Sequence, residues 1–272
     1  MTRSDGVIGK PYDQFLLFGD SITQMSCNQD LGFGFEPALQ DVYCRKLDVL
    51  NRGFSGYSTA HAIKVFPQFF PSPQIATVRF IAIFFGANDA AVPGHNQHVP
   101  LEQYKQNLTD IVQHPAMLAQ NPHIIFITPP PVNEYQLEGF DNSKNTVHPS
   151  RTAALTKTYA EGMRELGASL NIPVVDIWSA FMASVGWEDG RPLIGSRDAP
   201  NNEAFGSLFT DGAYHFKTSS SRLTNRELGL HLTPAGYRIV NTELMSTIRA
   251  NWPEQDPEVL PMVYPPWPEA PK

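Results

Sequence analysis

The run from Val78 to Phe85 is apolar at every position except Arg79. A strand with apolar side chains on both pleat faces has no surface to give to water. It belongs in a sheet covered on both sides, and such sheets are parallel, with helical crossovers. The rest of the chain supports that reading by alternating short apolar runs with helix-periodic segments. Phe15 to Phe18 forms a first strand, ending at Gly19-Asp20-Ser21, and a helix is expected over Phe35 to Leu47. Val49-Leu50-Asn51 begins the second strand and Arg52-Gly53-Phe54-Ser55-Gly56 turns after it. A helix follows from about Thr59 to Phe70, stopped by Pro71 and Pro73.

The strong strand ends at Gly86-Ala87-Asn88-Asp89, and Leu101 to Leu118 reads as helix. His123 to Thr128 is a strand broken by Pro129-Pro130-Pro131. A helix is expected from Arg151 to Leu170, a last strand over Val174 to Ile177, and a closing helix from Pro234 to about Trp252. The expectation is a three-layer α/β/α sandwich around a central parallel sheet. With 272 residues and no internal repeat, the chain suits a single domain, with a core of about 14–251. Residues 186–227 are polar and turn-rich, too long for an ordinary connection. The Pro-rich tail 253–272 is expected to lie extended along the surface.

Charge and cysteine content narrow the function. A net charge of −7 without a basic cluster gives no reason to expect nucleic acid or an anionic membrane as partner. No segment approaches the about 18 apolar residues of a membrane span, and the N-terminal residues lack a secretory apolar run. Cys27 and Cys44 cannot build a disulfide framework and suit a reducing compartment. A soluble cytoplasmic protein is expected. No ligand cluster or Gly-rich phosphate loop calls for a metal or an organic cofactor. Nothing in the sequence speaks for or against self-association.

The reactive side chains fall just after predicted strands, at the sheet edge where α/β proteins bind ligands. Ser21 follows the first strand, Gly56 the second and Asn88 the third, while His231 precedes the closing helix. A serine hydroxyl attacks an ester only if a base takes its proton, and histidine does so near neutral pH. An oxyanion needs donors set near it, which a glycine N–H and an asparagine amide provide. Singly, each has a plain structural role: Gly-Asp-Ser and Gly56 as turns, Asn88 as a helix cap, His231 as a boundary residue before Thr233-Pro234. Their joint occurrence, each at an element end, favours chemistry.

Four blocks carry a family resemblance: Phe18-Gly19-Asp20-Ser21-Ile22-Thr23-Gln24, Asn51-Arg52-Gly53-Phe54-Ser55-Gly56-Tyr57, Phe85-Gly86-Ala87-Asn88-Asp89-Ala90 and His231-Leu232-Thr233-Pro234-Ala235-Gly236-Tyr237. They resemble the blocks of SGNH (GDSL-type) hydrolases, whose fold is flavodoxin-like. Gln97-His98-Val99-Pro100-Leu101-Glu102-Gln103-Tyr104 and Ile127-Thr128-Pro129-Pro130-Pro131-Val132 are similar to signatures of the isoamyl-acetate-hydrolysing branch. The Gly-x-Ser-x-Gly of α/β-hydrolases is absent. The resemblance implies Ser21 as nucleophile and His231 as base. It also implies an oxyanion hole of the Ser21 and Gly56 N–H groups with the Asn88 side chain, leaving Gly53 to the turn. Asp20 and Asp89 are read as loop-formers, and Met25, Phe33 and Phe54 as candidate walls of an acyl pocket. The implied reaction is hydrolysis of a short, acetyl-like ester through an acyl-enzyme.

The final block departs from the family, which has Asp three residues before the histidine; here that position is Leu228. Phe209-Thr210-Asp211-Gly212 carries its first half, with an insertion over about 213–229 before His231. Asp211 is the expected acid, at a loop-closure cost that grows only logarithmically with length. Glu227 is a rival, and pairing Asp211 with His215 is a further alternative. Without a working acid the chain becomes a catalytically impaired ester- or carbohydrate-binding homologue. Capture of the acyl group by another alcohol makes it an acyltransferase.

Overall fold

The computed structural model describes residues 12–144, 149–210 and 229–270. Along the chain run β1 (Asp13–Gly19), α1 (Ser21–Gln24), α2 (Phe35–Val42), β2 (Leu47–Gly53), α3 (Thr59–Phe69), β3 (Val78–Phe84), α4 (Leu101–Val112) and α5 (Pro115–Gln120). They are followed by β4 (His123–Ile127), α6 (Glu134–Lys144), α7 (Ala153–Leu170), β5 (Val174–Val175), α8 (Ile177–Ser184), α9 (Glu203–Gly206) and α10 (Pro234–Asn251). The five strands pair in the order β2-β1-β3-β4-β5, every pair parallel.

Strand alternation supplies two cores. Phe15, Leu17, Phe80, Ala82, Phe84, Ile125 and Ile127 point to one face, where Phe35 and Leu39 of α2, Phe181 of α8 and Val240, Leu244 and Ile248 of α10 cover them. Leu16, Phe18, Ile81, Ile83 and Phe126 point to the other, under Phe66 of α3, Leu108 and Ile111 of α4 and Met163 of α7. This is the expected α/β/α sandwich. β1 is its topological switch point: the chain leaves β1 for β2 on one side and reaches β3 on the other. Strand order of this kind opens a crevice at the carboxyl ends of β1 and β3.

Several boundaries differ from the sequence expectation, each for an identifiable reason. The helix expected over Phe35 to Leu47 stops at Val42, because Leu47 pairs with Asp13 as the first residue of β2. Leu39, Tyr43 and Leu47 are spaced by four and so imitate a continuing helix face. Arg45, at φ 65°, makes the turn between. The helix over 101–118 is two helices, since a residue before proline disfavours the α region. His114 accordingly sits at φ −59°, ψ 137° and caps α5, its ring accepting from the Ala116 N–H. β5 ends at Val175 because Asp176 becomes the N-cap of α8, its carboxylate accepting from the Ser179 N–H at 3.2 Å. α7 starts at Ala153, so Arg151 lies outside the helix, bridged antiparallel to Ala91.

The segment after α8 is better anchored than its composition implies, with Phe205 and Phe209 buried in the first core. The tail also does more than lie extended. Gln255 and Leu260 are buried, the Tyr43 hydroxyl donates to the Gln255 carbonyl at 3.0 Å, and Val263 N–H donates to the Arg45 carbonyl at 2.9 Å. Among the described residues no helix is long and apolar enough to cross a membrane.

Gly53 closes β2 against the first turn of the chain after β1. A β-carbon there would lie 2.1 Å from the Gln24 nitrogen and 2.4 Å from its α-carbon. Both are backbone atoms, so nothing flexible is there to yield. Gly53→Ala is expected to cost about 1–3 kcal/mol or more, read as a lowered urea midpoint with unchanged slope.

Candidate active site

Ser21 is placed by a tight strand-to-helix turn. β1 ends at Gly19, where an added β-carbon would meet the Phe84 carbonyl oxygen at 2.6 Å. Asp20 caps α1, its carboxylate accepting from the Ile22 N–H at 2.9 Å. Ser21 therefore takes the first helical position, where its own N–H has no intrahelical partner. The turn is tied from the far side by the Tyr237 hydroxyl, which donates to the Ile22 carbonyl at 2.8 Å.

His231 reaches the same point from the other end of the chain. Its carbonyl accepts from the Thr210 N–H at 2.8 Å, and Leu232 bridges antiparallel to Phe209. Thr233 then caps α10, with Pro234 at its first turn. This brings His231 Nε2 to 2.8 Å from Ser21 Oγ across 210 residues of sequence. Both residues are buried, at 5% and 4% exposure, so the pair is held in a water-poor site.

Asp211, His215 and Glu227 lie outside the described residues. The residues flanking that stretch are described, and they meet: Gly229 N–H donates to the Thr210 carbonyl at 3.2 Å. The chain therefore leaves and returns at one place, beside His231.

The opposite wall comes from the loops after β2 and β3. Gly53 is engaged, its N–H donating to Asn51 Oδ1 at 2.8 Å. Gly56 sits at φ 81°, and among the described residues no hydrogen bond uses its N–H. Asn88 is buried and its amide donates to the Tyr57 carbonyl at 2.8 Å. That uses one of its two N–H bonds. Phe54 packs into a cluster with Phe18, Tyr57 and Phe69, and Phe33 lies under the Arg238 guanidinium. Met25 begins a short 3-10 turn after α1. The contacts of the two phenylalanines are thus largely with the body of the fold.

Two residues with no assigned role in the sequence reading join this wall. Arg151, 1% exposed, donates from Nε to the Ala87 carbonyl at 2.8 Å, and from Nη2 to Asn88 Oδ1 at 3.0 Å and Gln97 Oε1 at 2.8 Å. Gln97 Nε2 in turn donates to the Gly56 carbonyl at 3.0 Å. Gln97 lies in a family signature, whereas Arg151 gives no local signal at all.

Asp89 is fully buried behind Asn88. Its Oδ1 accepts from the Thr59 N–H at 2.9 Å and from the Thr59 hydroxyl, which itself accepts from Asn107 at 3.0 Å. Burial pushes the Asp89 carboxyl up to about 6, with the Thr59 bonds opposing the rise. Such a group keeps its proton in the fold at a pH where the unfolded chain has lost it. Its charged form therefore subtracts stability as pH rises from about 4 to about 6, and the deficit persists above. Asp89→Asn keeps the acceptor toward Thr59 and removes the charge. The variant should lose up to about 3 kcal/mol of the fall in stability between pH 4 and pH 7, measured as the difference from wild type in urea titrations.

Residues 17–239 match the GDSL-like Lipase/Acylhydrolase family. The chain belongs to that family. It is accordingly a carboxylic ester hydrolase. A GDSL esterase/lipase of Arabidopsis thaliana is 33% identical over 263 residues, 93% of this chain and 91% of the relative. An isoamyl acetate-hydrolyzing esterase 1 homolog of Rattus norvegicus is 31% identical over 262 residues, covering 94% and 87%. Solved structures share the fold. A lipase/acylhydrolase from Enterococcus faecalis superimposes with TM-score 0.57 at 21% identity, covering 88% of this chain and 96% of that one. An acetylxylan esterase from Geobacillus stearothermophilus gives 0.57 at 18% identity, covering 89% and 95%. The GDSL hydrolase core thus spans both cores of the sandwich and ends within α10.

Proposed function

We propose that this GDSL hydrolase cleaves short-chain, acetyl-like carboxylic esters through an acyl-enzyme on Ser21. The contact that carries the reading is the 2.8 Å approach of His231 Nε2 to Ser21 Oγ. With its proton on Nδ1, the imidazole accepts the hydroxyl proton as Oγ attacks the ester carbonyl. The tetrahedral oxyanion is met by the Ser21 and Gly56 N–H groups and by the second N–H of Asn88. His231 then protonates the leaving alcohol, and the same base activates the water that releases the acid. Asp211 is proposed as the acceptor for Nδ1–H: it directly follows Thr210, whose N–H bonds the His231 carbonyl. A short acyl group is favoured by the relatives, one named for isoamyl acetate and a structural neighbour for acetylxylan.

A fluorophosphonate probe should label the wild-type protein and leave Ser21→Ala unlabelled. Ser21→Ala should hydrolyse p-nitrophenyl acetate at under a tenth of the wild-type rate, with its folded circular dichroism retained. Acetyl and butyryl esters should outrun decanoyl esters in kcat/KM. Equal labelling of both proteins, or a preference for decanoyl, would sink the reading.

The acid is tested separately. Asp211→Asn should lower kcat by about 10³–10⁴-fold, as expected when a triad imidazole is held in the wrong tautomer, while Glu227→Gln changes it little. The reverse order would reassign the acid to Glu227.

A further inference from the structure

We propose that Arg151, acting with Gln97, is the positioning residue of the oxyanion hole: it sets which way the Asn88 amide faces and holds the Gly56 turn against it. The inference rests on the proposed role of Asn88 and Gly56 and adds residues that role does not include.

A carboxamide has two faces of opposite sense, an oxygen that accepts and an NH2 that donates. Turned one way, Asn88 offers protons to a developing oxyanion. Turned by 180°, it offers an oxygen lone pair and opposes the reaction. The structure allows only one answer. Arg151 has no acceptor, so its Nη2, 3.0 Å from Asn88, can face only the amide oxygen. The Tyr57 carbonyl, 2.8 Å away, has no proton and can face only the NH2. Both neighbours enforce the same orientation.

Gln97 repeats the device. Its oxygen takes the same Arg151 Nη2 at 2.8 Å, and its NH2 donates to the Gly56 carbonyl at 3.0 Å. One guanidinium nitrogen therefore aligns two amides, and those amides hold two consecutive carbonyls of a single turn. The ring closes from Arg151 through Asn88 to Tyr57, and from Gly56 through Gln97 back to Arg151. Gly56, at φ 81°, is the third residue of a turn closed by Tyr57 N–H donating to the Phe54 carbonyl at 3.1 Å, and the Gln97 bond ties that turn to Arg151.

The rest of Arg151 is built for precision. Nε is fixed on the Ala87 carbonyl at 2.8 Å, one residue before Asn88. Its backbone is stitched to the same loop by the bridge to Ala91 and by Val92 N–H donating to the Ser150 carbonyl at 2.9 Å. A guanidinium is expensive to bury; this one is 1% exposed, and its partners include the Ala87 carbonyl and the oxygens of the two amides. Hydrogen bonds from a charged donor are shorter and stronger than neutral ones. A positive charge behind the Asn88 oxygen also draws electrons from its NH2, which strengthens the donor where negative charge develops. Lysine cannot reproduce this fork, because it has no second nitrogen to hold the Ala87 carbonyl while the first serves the two amides.

The test is a double-mutant cycle in the full chain, with p-nitrophenyl acetate as substrate and thermal unfolding as the check on folding. Arg151→Lys should lower kcat by about 10–100-fold, with KM within about twofold, because the lost alignment acts on the transition state. In an Asn88→Ala background the same substitution should cost less than about threefold, since the group it aligns is gone. Gln97→Met, at a half-buried site, should show the same pattern at smaller size and serves if Arg151→Lys does not fold. Equal factors in both backgrounds, or a loss confined to KM, would reduce Arg151 to a structural part and overturn the inference while leaving the proposed function intact. Undiminished kcat in Asn88→Ala alone would overturn both.

Discussion

β1 is hydrogen-bonded in parallel along both edges, to β2 on one side and β3 on the other, and from Phe15 to Gly19 the two registers run without a break. That double pairing governs much of the molecule. It makes Phe15 to Phe18 fully buried, sends alternate side chains into separate cores, and brings the carboxyl ends of three strands level with one another. Gly19 lies opposite Gly53 on one edge and Phe84 on the other. The loops that follow these three residues carry Ser21, Gly56 and Asn88. A one-residue slip would turn the two cores inside out, so the register that buries the aromatic residues also aligns the reactive loops.

What the sequence made legible follows from how local each signal was. β3 announced itself because apolar residues on both pleat faces have only one structural solution. Ser21, Asn88 and His231 stood out because each follows or precedes an element whose boundary is written in adjacent residues. Where two local patterns coincided the reading failed. Leu39, Tyr43 and Leu47 suit a helix face as well as a strand start, and the choice was made by pairing with Asp13, far away in sequence. Asp176 reads as a polar interruption in a strand until it is seen to cap α8. α6 carries no such signal, since Glu134-Tyr135-Gln136-Leu137-Glu138 offers little apolar periodicity.

Arg151 marks the limit more sharply. Arginine is ordinarily a surface residue, and nothing beside Arg151 in sequence distinguishes it from one. Its significance comes from Ala87 and Asn88, 64 and 63 positions earlier, and from Gln97, 54 positions earlier. No short motif can encode a contact of that span. The wall behind the nucleophile is polar and densely bonded: Asp89 holds the start of α3, Gln97 holds Gly56, and Arg151 holds both amides. The two amides become fixed dipoles there because each is met by groups that can only donate or only accept.

The tail gives the fold an order in time. The turn between α2 and β2 hands its polar groups to residues from the far end of the chain, Tyr43 to Gln255 and Arg45 to Val263 and Pro265. A ribosome delivers the amino-terminal half first, at about 5–20 residues per second. All five strands are therefore synthesised before the residues that seal this corner. Until then the corner's hydroxyl, guanidinium and carbonyl groups remain with water, and Leu260 has yet to cover its share of the core. The β1–β2 pair, at one edge of the sheet, is thus available early in synthesis, while the turn that joins α2 to β2 is sealed only after all five strands have been made.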